Sequence, residues 1–156
     1  MKDPKIYLKK LGIKFIEHSH PAVYTCEQAE KYHKTIKGIH SKSLFLKSKK
    51  QEKYYLMIMP CRERLDIKKL EVYLNEKLTF ADEKELKEIL GLTPGSVSPF
   101  GLLNDSKHQV FILINKEVWE SKIVNFHPNI NTQSLEFSGK DFQKYIKSLK
   151  NKFEII

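Results

Sequence analysis

At 156 residues, 40% hydrophobic and 30% charged, the chain has the size and composition of one soluble globular domain with one core. It has no run near the ~18 consecutive apolar residues of a membrane helix, and Met1-Lys2-Asp3-Pro4-Lys5 lacks the apolar stretch of a secretory signal, so a cytoplasmic setting is expected. Twenty-eight Lys and Arg against nineteen Asp and Glu leave a net charge of +9, a balance that favours polyanions through counterion release; only Arg62 and Arg64 are arginines, so the signal is diffuse lysine, which a lysine-rich genome also produces.

In chain order, Asp3-Pro4 ahead of Ile6, Tyr7 and Leu8, then Gly12, predicts a short helix with an Asp N-cap, Pro in the first turn and Gly past the end. Ile13 to Glu17 alternates as a strand does. Thr25-Cys26-Glu27-Gln28 is a capping-box pattern that opens a helix to about Tyr32. Lys42 to Leu46 and Tyr54 to Met59 predict a hairpin across the polar Lys47–Lys53 connection. Asp66 caps a helix with Ile67, Leu70 and Leu74 on one face, and Leu78 to Phe80 is a short strand. Asp82 and Glu85 form a second capping box before Leu86, Ile89 and Leu90, and Gly91 ends that helix. The stretch from Gly91 to Gly101, rich in Gly and Pro, is expected to be irregular. Gln109 to Asn115, Lys122 to Phe126 and Thr132 to Phe137 read as strands. Ser138 to Asp141 caps a last helix carrying Phe142, Tyr145, Ile146 and Leu149. Without regular strand–helix alternation, the pattern predicts a mixed α/β (α+β) fold in a single domain over residues 1–156: one mixed sheet with helices packed around it.

Three places carry chemistry. The Pro94–Gly101 loop is neither a P-loop nor a dinucleotide fingerprint, but glycines there let backbone amides approach a carbonyl or an oxyanion. His127-Pro128 places an imidazole at a strand end, where it can donate to a carbonyl or a phosphate. Lys42 heads an apolar strand. Taken singly, these are a rigid surface connection, a strand-end histidine and a solvated lysine. His18 and His20 have an HxH spacing but no third metal ligand nearby. Cys26 and Cys61 form neither CxxC nor a metal-ligand spacing. Two reduced, partly buried thiols are expected, and nothing local marks a catalytic Cys–His pair.

In combination they resemble a known family. His20-Pro21-Ala22-Val23-Tyr24-Thr25, Lys42-Ser43-Leu44-Phe45-Leu46, Ala81-Asp82, the stretch Leu90 to Leu102, Asn104-Asp105 and His127-Pro128-Asn129-Ile130-Asn131-Thr132 follow one another over nearly the whole chain. This order is similar to the YbaK/EbsC family of bacterial tRNA-editing domains, and within it to the free-standing ProX or PrdX branch associated with prolyl-tRNA synthetase. The resemblance implies a curved mixed sheet with a deacylase pocket. It also implies that Lys42 is a functional lysine and that the GxxxP backbone of Gly95, Ser96 and Val97 binds the aminoacyl carbonyl. His127 would match the histidine of the HPxxNT segment, and His20, Thr25, Pro99, Phe100, Gly101, Asn131 and Thr132 would bind substrate. No metal or organic cofactor is implied. With no synthetase core in the sequence, editing would occur in trans on the acceptor stem of mischarged proline tRNA, with prolyl-tRNA synthetase as a transient partner.

The reaction implied is hydrolysis of the ester in Ala-tRNA(Pro), which needs a placed water, a base and oxyanion stabilisation. The sequence offers donors but no convincing Ser–His or Cys–His pair, which agrees with help from the ribose hydroxyl of the tRNA. Alternatives are removal of cysteine or serine, a non-catalytic tRNA-binding module, and a cysteine-dependent hydrolase. The oligomeric state is open at this level.

Overall fold

The computed structural model describes residues 2–50 and 52–156; Met1, and Gln51 within the predicted Lys47–Lys53 connection, lie outside them. Helix α1 (Pro4–Lys10) is capped by Asp3, whose carboxylate accepts the Lys5 N–H at 2.9 Å. Strand β1 (Ile16–Ser19) starts three residues later than predicted. The reason is the helix end: Gly12 is left-handed, and the Ile13 N–H turns back to Leu8 O at 2.9 Å, burying Ile13 beneath the helix. In α2 (Cys26–His33), Thr25 caps by accepting the Gln28 N–H, while the Gln28 side chain accepts from Tyr24 N–H, one residue before the partner a capping box would use.

The predicted hairpin forms from β2 (Ile39–Ser48) and β3 (Tyr54–Pro60), paired antiparallel with Lys42 opposite Met59. Then follow α3 (Ile67–Leu74), β4 (Leu78–Phe80) and α4 (Glu83–Glu85), the last with both halves of its capping box made. A π-helical turn over Leu86–Leu90 continues α4 and ends at left-handed Gly91. The Gly91–Gly101 stretch is not wholly irregular: Pro99–Asn104 forms a 3-10 helix, because the Ser98 hydroxyl accepts the Phe100 N–H at its start. Strands β5 (Val110–Ile114), β6 (Ile123–Phe126) and β7 (Gln133–Ser138) and helix α6 (Gly139–Ser148) follow as predicted within a residue or two. The short α5 (Lys116–Glu120) and β8 (Phe153–Ile155) were not predicted; neither is long enough to show a period.

The eight strands form one mixed sheet in the order β1-β7-β6-β2-β3-β5-β8, with β4 also paired to β2. The β2–β6, β3–β5 and β5–β8 pairs are parallel and the others antiparallel. Strand β3 is apolar almost throughout, as a strand covered on both faces must be. Its alternate residues go to opposite sides. Leu56 and Ile58 join the main core with Phe142, Tyr145 and Ile146 of α6, whereas Tyr55, Met57 and Met59 meet Leu70 of α3.

One expectation is overturned here. Cys26 and Cys61 are not free thiols but a disulfide, with Cα atoms 5.7 Å apart. They stand 35 residues apart, so no local spacing announces the bond. The chain brings the first residue of α2 against the residue that follows β3. Helix α2 buries only Ala29, so this crosslink is its firmest attachment to the sheet. Loop-closure entropy assigns the bond about 3–4 kcal/mol. Reduction, or the Cys26→Ser/Cys61→Ser double variant, should lower the thermal midpoint by about 10 °C. Melts with and without a thiol reductant measure this, and identical midpoints would contradict it.

Candidate functional site

A cavity of about 1130 Å³ opens between α2, the sheet and the loop that carries Gly95 and Val97. Among the predicted residues, Thr25, Lys42, Gly95, Val97 and His127 line it. Lys42 is half-buried, and no hydrogen bond or ion pair engages its ammonium among the described residues. Both arginines of the chain also reach this rim. Arg62 is held by both carboxylate oxygens of Glu117 at 2.6 Å, while no carboxylate among the described residues pairs with Arg64. Sequence reading noted these arginines only as exceptions among lysines; their shared position is a product of the fold.

Gly95 has φ +86°, and a Cβ there would lie 2.9 Å from Tyr24 Cδ1, so the exposed Tyr24 ring rests against the loop backbone. The three loop amides are not equivalent. The Ser96 N–H closes a turn onto Thr93 O at 3.1 Å and is engaged there. The amides of Gly95 and Val97 meet no acceptor among the described residues. Pro99, Phe100 and Gly101 are buried and do not line the cavity. Phe100 packs against Phe126, Phe137 and Tyr145, and the Tyr145 hydroxyl donates to Pro99 O at 2.8 Å, so these residues fix the loop from below. The Ser98 hydroxyl donates to Asn129 Oδ1 at 2.8 Å and ties the loop to the β6–β7 turn.

That turn brings the remaining predicted residues together. His20 N–H donates to Thr132 O at 3.0 Å and Val23 N–H to Asn131 O at 3.3 Å, so the 20–25 segment lies along the start of β7. The side chains of Asn131 and Thr132 do not line the cavity. His127 Nδ1 lies 2.8 Å from Gln133 O. A carbonyl only accepts, so Nδ1 holds the proton, and the neutral ring offers Nε2 as an acceptor rather than the donor expected from sequence. Burial, opposed by that backbone bond and aided by His20, lowers the His127 pKa and keeps the ring neutral. Burial and neighbouring His40 bring His33 down to about 4, and His40 is lowered mainly by burial. The cations on the cavity lining are therefore Lys42, Arg62 and Arg64 and not imidazolium, and the carboxylates of Glu27, Glu30 and Glu63 share that lining. Two further polar atoms on lining residues, Ser41 Oγ and Asn125 Oδ1, are buried without partners, as happens where a ligand or water supplies them. His18 is engaged by Glu136 at 2.9 Å.

The site combines three cations and three carboxylates on its lining with two loop amides that meet no acceptor among the described residues and a neutral imidazole acceptor. Its class follows from the comparison with known proteins. The aminoacyl-tRNA editing domain family matches residues 20–145, and the chain belongs to it. Over 96% of its length the chain is 35% identical to the prolyl-tRNA editing protein ProX of Acetoanaerobium sticklandii, covering 92% of that protein. It is 32% identical to the prolyl-tRNA synthetase associated domain-containing protein 1 of Bos taurus, covering 90% of this chain and 85% of that one. A solved structure described as a candidate trans-editing enzyme for prolyl tRNA synthetase superposes with a TM-score of 0.71 at 17% identity, over 99% of this chain and 98% of that one, which establishes the shared fold.

The two loop positions separate backbone from side chain. Gly95→Val forces a branched residue into left-handed geometry against Tyr24 and should lower deacylation by about a hundredfold, on the scale of losing an oxyanion donor. Ser96→Ala should leave the rate close to wild type. Single-turnover rates of the two folded variants measure this; a large loss in Ser96→Ala would contradict the backbone assignment.

Proposed function

We propose that the chain is a metal-independent deacylase that edits mischarged proline tRNA in trans in the cytoplasm and removes alanine. The observation that carries the reading is the convergence of Lys42, the open Gly95 and Val97 amides and neutral His127 on one cavity, in a member of the aminoacyl-tRNA editing family. Similarity to a prolyl-tRNA editing protein over 96% of the chain supports the tRNA. Among the described residues no helix is long and apolar enough to cross a membrane.

The ester carbonyl lies against the Gly95 and Val97 amides, which also face the charge that develops on its oxygen. Lys42, a compact point charge, holds the terminal phosphate or ribose, and Arg64 adds charge along the same rim. His127 Nε2 accepts a hydrogen bond from the ribose hydroxyl or the amino acid. The lysine-rich surface holds the acceptor stem largely without reading bases. Prolyl-tRNA synthetase is the natural transient partner, because it makes the mischarged product. A synthetase site shaped for proline cannot fully reject smaller alanine, since apolar contact separates neighbours in size by only ~1–3 kcal/mol per methylene. A second site can exclude the larger proline by steric clash.

A deacylation time course on Ala-tRNA(Pro), Pro-tRNA(Pro) and Ala-tRNA(Ala) tests this. Fast, slow and weak cleavage are expected in that order, with Lys42→Ala losing about a hundredfold on the first substrate while remaining folded. Fast cleavage of Pro-tRNA(Pro) would overturn size exclusion. Preference for Cys-tRNA(Pro) would reassign the amino acid.

A further inference from the structure

The sequence shows no Ser–His pair, yet the fold makes one. Ser134 of β7 lines the cavity, and its Oγ lies 3.1 Å from His20 Nε2, 114 residues away in sequence. The direction of that bond follows from the other side of the ring. His20 Nδ1 lies 3.0 Å from the Pro21 carbonyl oxygen, which can only accept, so Nδ1 carries a proton and Nε2 is the nitrogen left to accept. The Ser134 hydroxyl therefore donates to His20, and the free lone pairs of Ser134 Oγ can accept a proton from the cavity side. This is the base-and-orienter arrangement of a hydrolytic site, with a backbone carbonyl as orienter.

The ring is held in place on every side. It stacks on Tyr32 of α2 at 5.4 Å and meets the edge of His127 at 5.9 Å, and the His20 N–H is anchored on Thr132 O. The groups facing His20 that titrate are the imidazoles of His127 and His33 and the phenol of Tyr32. Ser134 itself is 4% exposed and sits in the regular ladder opposite His18. Its place on the cavity lining is where a water bonded to its oxygen would stand.

We infer that Ser134 and His20 are the proton-accepting pair of the deacylation, with Ser134 in contact with the hydrolytic water and His20 acting through it. As the water oxygen attacks the ester carbon, a water proton passes to Ser134 Oγ and the Ser134 proton passes to His20 Nε2. The bond between the carbonyl carbon and the ribose oxygen then breaks, and the proton returns from His20 through Ser134 to that ribose oxygen. Alanine and tRNA are released, one water is consumed, and the pair is restored. The inference rests on the deacylase reading above and adds the base that reading lacks.

The test uses the full chain with Ala-tRNA(Pro). Ser134→Ala should lower kcat by about a hundredfold with little change in KM, on the scale of general-base catalysis, and Ser134→Thr should restore most of it. The rising acid limb of the wild-type kcat–pH profile should vanish in His20→Gln and persist in His127→Gln at a lower rate. Full activity in Ser134→Ala, or an acid limb retained in His20→Gln, would overturn the pair. Alanine trapped covalently on Ser134 after acid quench would overturn the relay in favour of direct attack. A wild-type protein inactive on every mischarged tRNA would instead end the editing reading, so the two failures are told apart.

Discussion

The Ser98 hydroxyl donates to Asn129 Oδ1 at 2.8 Å, with Ser98 1% and Asn129 8% exposed. The two halves of the cavity wall meet at this bond. Ser98 leads out of the loop that carries the open amides and also accepts the N–H that starts the 3-10 helix. Asn129 sits in the turn between β6 and β7 at φ +65°, a conformation asparagine tolerates better than most residues. A buried bond of this kind stabilises by only about 1 kcal/mol net, but losing one partner strands the other at about 1–3 kcal/mol. The position of the amides relative to His127 therefore depends on a contact that tolerates few substitutions.

The core reaches the same point from the other side. Tyr145, fully buried in α6, donates to Pro99 O, and Phe100 is wedged among Phe126, Phe137 and Tyr145. The aromatic core thus stabilises the domain and also sets the height of the loop above the sheet. On the opposite wall α2 lacks such support. It buries one residue and is fastened by the Cys26–Cys61 bond, with aromatic contacts from Tyr32 and His33 to His20 and His40. The cavity has one rigid wall set by packing and one wall held by a crosslink and ring stacking.

Much of this was legible in the sequence, for identifiable reasons. Capping residues and apolar periodicity act locally, so α3, α4, α6 and the β2–β3 hairpin could be read from Asp66, Asp82, Ser138 and the alternation around Lys42 and Tyr54. The order of the motifs was legible too, and it brought Lys42, Gly95, Val97 and His127 to one cavity. What escaped is what tertiary structure alone decides. The Cys26–Cys61 bond and the Ser134–His20 contact join residues 35 and 114 positions apart. The different duties of the Ser96 and Val97 amides, and the acceptor character of His127, follow from backbone bonds to Thr93 and Gln133. The core role of Phe100, within a motif that suggested ligand contact, reflects the tilt of a 3-10 turn invisible in composition.

The central claim is that the Gly95 and Val97 amides, and not a side chain, receive the carbonyl of the aminoacyl group. A crystal structure with a non-hydrolysable analogue, in which an amide joins alanine to the 3′ position of adenosine, tests it directly. The account predicts the alanyl oxygen within hydrogen-bond distance of both amides, with the adenosine running toward Lys42. An analogue bound with its carbonyl turned away from the loop, in a protein that still deacylates Ala-tRNA(Pro), would contradict it.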